Sequence, residues 1–172
     1  MNRSHDHDMA VSLTQHDRSR RAFVATLRSH VLQRMAGDLR QHFEGTVGPE
    51  HEKSGAPLES PEAIHEALKP ELPFKAYSSV RTAAQEMVFD VVSDAVDREL
   101  ETLNEKAAQP ATKGSLTLNP ALPLPKSVTG IDVHLSPGAY HEERADNDVS
   151  AGAVYDNSID VFAFGQFGKR HN

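Results

Sequence analysis

The sequence predicts a mainly α fold: a small helical bundle of two long helices and one short helix, followed by an extended, partly β segment. Three observations carry that expectation. Apolar residues recur at steps of three and four over two long stretches, 17–44 and 78–108. Between them, Ser60-Pro61-Glu62 reads as a compact helix-start signal. Beyond Pro110 the helical period gives way to prolines at 120, 123 and 125, a residue that cannot sit in a central strand.

Residues 1–16 are polar and mixed, and are expected to form a disordered lead-in. The first long helix should begin near Asp17, whose carboxylate could cap free amide groups, and run to about Glu44. Phe23, Val24, Leu27, Val31, Leu32, Met35, Leu39 and Phe43 make its apolar stripe, with the arginines between them on a solvated face. Residues 45–60 hold Gly, Pro and charge and read as a loop. Ser60 then caps, Pro61 fits the first helical position, and Glu62 favours the positive end of the helix dipole. The short helix Pro61–Leu68 stops before Pro70, and Glu71–Phe74 is a second break. Ser78 or Ser79 can cap the second long helix, whose buried side is Val80, Ala84, Met87, Val88, Val91, Ala95 and Leu103. Gln109-Pro110 ends it, which makes 17–110 a helical domain. Neither long helix sustains a heptad, so a dedicated coiled coil is not expected.

Residues 111–130 read as a Pro-rich extended linker, and 131–172 as a short strand, a polar loop and the start of a terminal helix. The strand expectation rests on the alternation in Ile131-Asp132-Val133-His134-Leu135. From Asp148 onward Val149, Ala151, Ala153, Val154, Ile159, Val161 and Phe162 support a helix, which Gly152 and Asn157 weaken. The apolar run Val161–Phe167 is expected to be sticky if a neighbouring domain is absent.

Composition narrows the function classes. With 172 residues there is room for one ordinary domain, and 38% hydrophobic content limits how much of it can be core. Zero cysteines exclude disulfides and thiolate metal sites, and fit a reducing compartment. A formal charge of −7 argues against binding to a phosphate backbone, so nucleic acid is not an expected partner. No run of about 18 apolar residues exists to span a membrane. The N-terminal MNRSHDHDMAVSL lacks the apolar region of a signal peptide, and the expected location is cytoplasmic.

The densest polar chemistry lies in Val133–Asp156, reading VHLSPGAYHEERADNDVSAGAVYD. Tyr140, His141, Asp146 and Asp148 could anchor a small substrate: the tyrosine and histidine orient it or move a proton, and the carboxylates recognise an amine. The plainer reading is a solvated acidic loop with Asp148 capping the next helix. His134, His141 and Glu142, with Glu143 beside them, are weaker candidates for a metal, since nitrogen and oxygen ligands suit zinc or iron. There is no HExxH, and His134 on a strand with His141 near a turn needs no metal. His5-Asp6-His7-Asp8 offers ligands that a metal itself would have to order. No GxGxxG, GxxxxGK[ST] or GxSxG occurs, so neither a phosphate cradle nor a nucleophile elbow can be placed.

Four short blocks carry a family resemblance. They are Phe23-Val24-x-x-Leu27-Arg28-x-x-Val31-Leu32-x-x-Met35-Ala36, Tyr77-Ser78-Ser79-Val80-Arg81-x-x-Ala84-Gln85-Glu86-Met87-Val88, Asp132-Val133-His134-Leu135-x-Pro137-Gly138-x-Tyr140-His141 and Asp148-Val149-x-Ala151-Gly152-Ala153-x-Tyr155-Asp156. Together they resemble the N-terminal region of a bacterial family of class I S-adenosylmethionine-dependent methyltransferases, over about Phe23 to Gly168. The resemblance implies a helical region and linker preceding a Rossmann-like catalytic domain. That later domain would hold the cofactor through a strand, a glycine-rich turn and an acidic residue after the second strand. None of these occurs before Asn172, so no cofactor-binding residue is carried over. Tyr140, His141 and their acidic neighbours are then expected to meet substrate or dock the missing domain. The chain alone is expected to be a truncated, non-catalytic part. The alternatives from other classes are a standalone helical interaction module, a homo-oligomer included, and a small His/carboxylate metalloenzyme.

Overall fold

The computed structural model describes residues 10–109, 115, 117–130, 132, 134–136 and 148–164. They are mainly helical. In chain order the helices are α1 (Gln15–Ser29), α2 (Ala36–His42), α3 (Gly48–Lys53), α4 (Pro61–Leu68), α5 (Leu72–Ala107), α6 (Lys126–Thr129) and α7 (Ser150–Phe162). Two π-helical turns, His30–Met35 and Phe43–Val47, join α1 to α2 and α2 to α3. The chain forms two compact units, one from residues up to Ala25 and from Gln85 onward, the other from Thr26–Ala84.

Helix α1 starts with a reciprocal cap. The Thr14 hydroxyl oxygen accepts from the Asp17 amide at 3.2 Å, and the Asp17 carboxylate accepts from the Thr14 amide at 2.8 Å. This is the capping-box arrangement with Asp in the acid position. Thr14 is therefore the cap, and Asp17 lies one turn inside rather than at the start. The helical path does not end near Glu44. It continues to Lys53, through residues that read as loop, because the π turn ends at Pro49's doorstep. A π turn frees an amide from the regular ladder, and proline, in the first turn of α3, has none to offer. At Gly48 an added Cβ would lie 3.3 Å from the Phe43 carbonyl, so the close turn favours glycine. The true stop is Gly55, with φ +74, where the Ala56 amide reaches His51 O and the Gly55 amide reaches Glu52 O. That is a Schellman ending.

In the unit Thr26–Ala84, the expected start of α4 is present: Ser60 Oγ accepts from the Ala63 amide at 3.2 Å, with Pro61 first in the helix. Val31, Val47, Leu68 and Ala84 are its buried apolar residues. His42 Nε2 lies 2.8 Å from Glu71 Oε2, and His65 meets the Phe74 ring edge-on at 5.3 Å. Glu71–Phe74 is not a break. Leu72 and Pro73 are the first residues of α5, where a missing amide costs nothing, so no cap at Ser78 or Ser79 is needed.

The other unit packs α7 and the early part of α1 with the later part of α5. Its core joins Val24, Val88, Phe89, Val92, Val96, Leu103, Ala153, Val154 and Val161. The buried side of α5 is wider than the expected stripe because two helices rest on it, bringing in Phe89, Val92 and Val96. Val11 packs against the same cluster. Helix α7 forms despite Gly152 and Asn157; the latter turns inward and donates to the Ala153 carbonyl at 2.9 Å. Its last turn is not sticky surface: Val161 is buried, and Phe162 meets Phe89 edge-on at 5.8 Å. Phe164 is half-buried, and Phe167 lies outside the described residues.

Two further expectations need correction. The stripe along α1 does not bury Phe23 or Leu32, which are exposed; Leu32 lies in a π turn, which shifts the face that its neighbours present. Among the described residues there is no strand, so the partly β segment is not supported. Instead, Asp132 Oδ1 accepts from the His134 amide at 3.1 Å and Asp132 O from the Leu135 amide at 3.3 Å. A short acid that folds onto the amide two residues ahead makes a turn and competes with strand pairing.

Candidate functional site

Of the residues singled out for substrate contact, Tyr140, His141 and Asp146 lie outside the described residues, as do Glu142, Glu143 and the four residues His5–Asp8. Asp148 is half-buried before α7, where its Oδ1 accepts from the Ser150 amide at 2.6 Å. The neighbouring Val149 amide donates to Asn104 Oδ1 of α5 at 3.0 Å. Asp148 thus secures the first turn of α7. His134 is exposed, and its backbone carbonyl accepts from Gln85 Nε2 at 2.9 Å. Among the described residues no three His, Asp or Glu side chains gather to hold a metal.

The most strongly built polar centre joins α1, α5 and α7. Asp17 is 2% exposed, and Arg98 grips it from α5 with both terminal nitrogens, at 2.6 and 3.4 Å. The Thr14 hydroxyl adds a bond of 2.7 Å. Burial alone would raise the Asp17 carboxyl, but the bonds from Arg98 and Thr14 outweigh it and bring it down to about 2. One turn on, Arg21 is buried against α7, with Nη1 3.3 Å from Asn157 Oδ1. Its Nε and Nη2 are buried without an acceptor. Burial pushes this guanidinium below the usual arginine value, while Asp17 and Asp160 pull it back.

This centre ties helices together and has no group poised to exchange a proton near neutral pH. A carboxyl that loses its proton near pH 2 is a fixed anion at neutral pH, and arginine does not give up its proton. By spacing, the arginines of this stretch fall mainly between its apolar positions, on a solvated face. Arg21 departs from it because 17, 21 and 24 share one face of α1 at spacings of four and three. The Thr14-x-x-Asp17 pattern was the legible clue to the cap.

Another feature of this unit, among the described residues, is a groove of about 400 Å³ between α1 and α5. Its floor is Val24, Met87 and Val91; its rim is His16, Ser19, Arg20, Phe23 and Asp90. Arg20 forms an ion pair with Asp94 beside it. With Ser12 bonded to Glu99, Asp17 to Arg98 and Arg20 to Asp94, these stretches of α1 and α5 run antiparallel. The groove's polar side chains are all at least partly exposed, unlike the convergent buried groups of a small-molecule site. No helix among the described residues is long and apolar enough to cross a membrane. Against this geometry, comparison with protein-family models, with curated proteins and with solved structures finds no match.

Proposed function

We propose that this chain is the N-terminal accessory, substrate-cap region of an S-adenosylmethionine-dependent methyltransferase acting on a small molecule, and is not catalytic alone. One observation supports the reading above the others: the four blocks that carry the resemblance meet. Val24 of the first, Val88 of the second and Ala153 of the fourth share one core. Gln85 of the second bonds to the His134 carbonyl of the third. The ends of the first two blocks thus belong to one packed unit with the described residues of the other two.

The described residues do not fit the cofactor itself. They include no strand, and so no strand, glycine turn and helix of the kind that cradles such a molecule. No step of methyl transfer is therefore assigned to them. The proposed contribution is enclosure: holding the acceptor in line and keeping water out. Tyr140, His141, Asp146 and Asp148 remain the candidates for acceptor contact.

The test begins with the source locus past the codon for Asn172. An open frame encoding a strand, a glycine-rich turn and a helix is the expected result, and an immediate stop codon refutes the reading. In the complete enzyme, deleting the helical region should leave S-adenosylmethionine binding intact by calorimetry. Turnover should fall by roughly 100-fold or more, the scale of lost positioning. Full turnover after the deletion would refute the cap role.

A further inference from the structure

We propose that the groove between α1 and α5 is the contact face of a symmetric dimer, and that its occupant is Phe23 of a second copy of this chain. Phe23 is 60% exposed at the rim, directly beside a floor of Val24, Met87 and Val91. The same small surface therefore carries an apolar knob and an apolar hole. That pairing is what a twofold contact requires, since each copy must offer both halves of the fit.

Charge points to the same occupant. On this face the basic residues His16 and Arg20 stand on α1, and the acidic Asp90 and Asp94 stand on α5. Arg20 and Asp94 satisfy each other within the copy, which leaves the exposed His16 and Asp90 facing outward. A twofold axis across the groove lays α1 of one copy over α5 of the other, and each His16 then meets an Asp90. A partner of one sign would find only half of the rim favourable. The opposite side of α1 is already occupied, because Arg21 reaches Asn157 of α7 there. Two antiparallel helix pairs packed face to face also make a four-helix arrangement, a stable way to cover such surfaces.

The experiment is sedimentation velocity on the 172-residue chain across the micromolar range, with four variants. The wild type should pass from monomer to dimer with a Kd of about 1–100 µM, as suits a small contact. Phe23→Glu should stay monomeric with unchanged circular dichroism, since Phe23 supports no core. Asp90→Lys and His16→Glu should each weaken association about tenfold or more when alone. Mixed one to one, they should restore it, because the mixed pair sets Lys against Glu and His against Asp. A wild type that stays monomeric overturns the proposal. So does Phe23→Glu dimerising as tightly as wild type, which would place the contact elsewhere. Failure of the mixture to recover association overturns the twofold pairing. The fourth variant, Glu101→Lys on the exposed side of α5, should associate like wild type; its loss would mean that net charge alone controls association.

Discussion

Replacing Asp17 with Asn tests the polar centre most directly. In the unfolded chain an aspartate titrates at about 3.9, whereas in the folded protein Asp17 is held at about 2 by Arg98 and Thr14 against its burial. A difference of nearly two pH units corresponds to about 2.5 kcal/mol at neutral pH. Arg98 is 44% exposed, and solvent screening reduces the net to about 2 kcal/mol. Asn also points an amide donor where only acceptors fit, so the loss should not fall below that figure. For a chain of this length, roughly 2–4 °C per kcal/mol gives a melting temperature lower by about 4–8 °C. Because the folded value is depressed, the stabilisation is fully present above about pH 4 and fades as pH falls toward 2. Urea denaturation of both proteins from neutral to acidic pH measures this. The gap between them should hold down to about pH 4, shrink to about 1 kcal/mol at pH 3, and nearly close at pH 2. A gap that persists unchanged at pH 2, or is absent at pH 7, would refute the argument that the charge of Asp17 stabilises the fold.

Three further substitutions probe the packing. Phe89→Ala should cost about 3–5 kcal/mol in urea denaturation, because the ring is 1% exposed and meets Phe162 edge-on. Phe23→Ala, in dilute protein, should cost under about 0.5 kcal/mol; equal losses at both positions would contradict the burial described. Arg21→Met should change thermal stability by no more than about 1 kcal/mol in either direction, since it removes a costly buried charge with unsatisfied donors. A loss above about 3 kcal/mol by calorimetry would mean that the Asn157 contact outweighs desolvation.

The helices were legible where side chains carry the signal. Ser60-Pro61-Glu62 announces α4 because cap, proline and acid each act locally, and Val88, Val91 and Ala95 mark α5 because burial follows the helical period. Elsewhere the deciding interaction lies outside the local pattern. A π turn has no side-chain signature, so Gly45, Gly48 and Pro49 read as a loop although the helix runs through them. Pro73 reads as a breaker unless the first turn of a helix is known to fall there. Arg21 resembles every other surface arginine until α7, distant in sequence, closes over it. Asp132 diverts its alternating segment into a turn by one short side-chain bond. Of the candidate substrate residues, Asp148 lies among those described, and its place just before α7 already pointed to a capping role. The groove was not, because Phe23 belongs by spacing to the buried stripe.

The two π turns also set how this chain tolerates insertion and deletion. Sixteen positions separate Val31 from Val47, and both are buried. At roughly 100° per residue, an unbroken α-helix would leave them about 160° apart. If each π turn absorbs one residue's rotation, the separation falls to roughly 40°, and both valines share a face. Losing one residue from 36–42, with both π turns kept, would rotate α3 by roughly 100°, exposing Val47. Gaining a residue in the loop before Ser60 would disturb nothing of the kind. Length is therefore fixed tightly inside a helix that looks permissive, and loosely in the few residues that follow it.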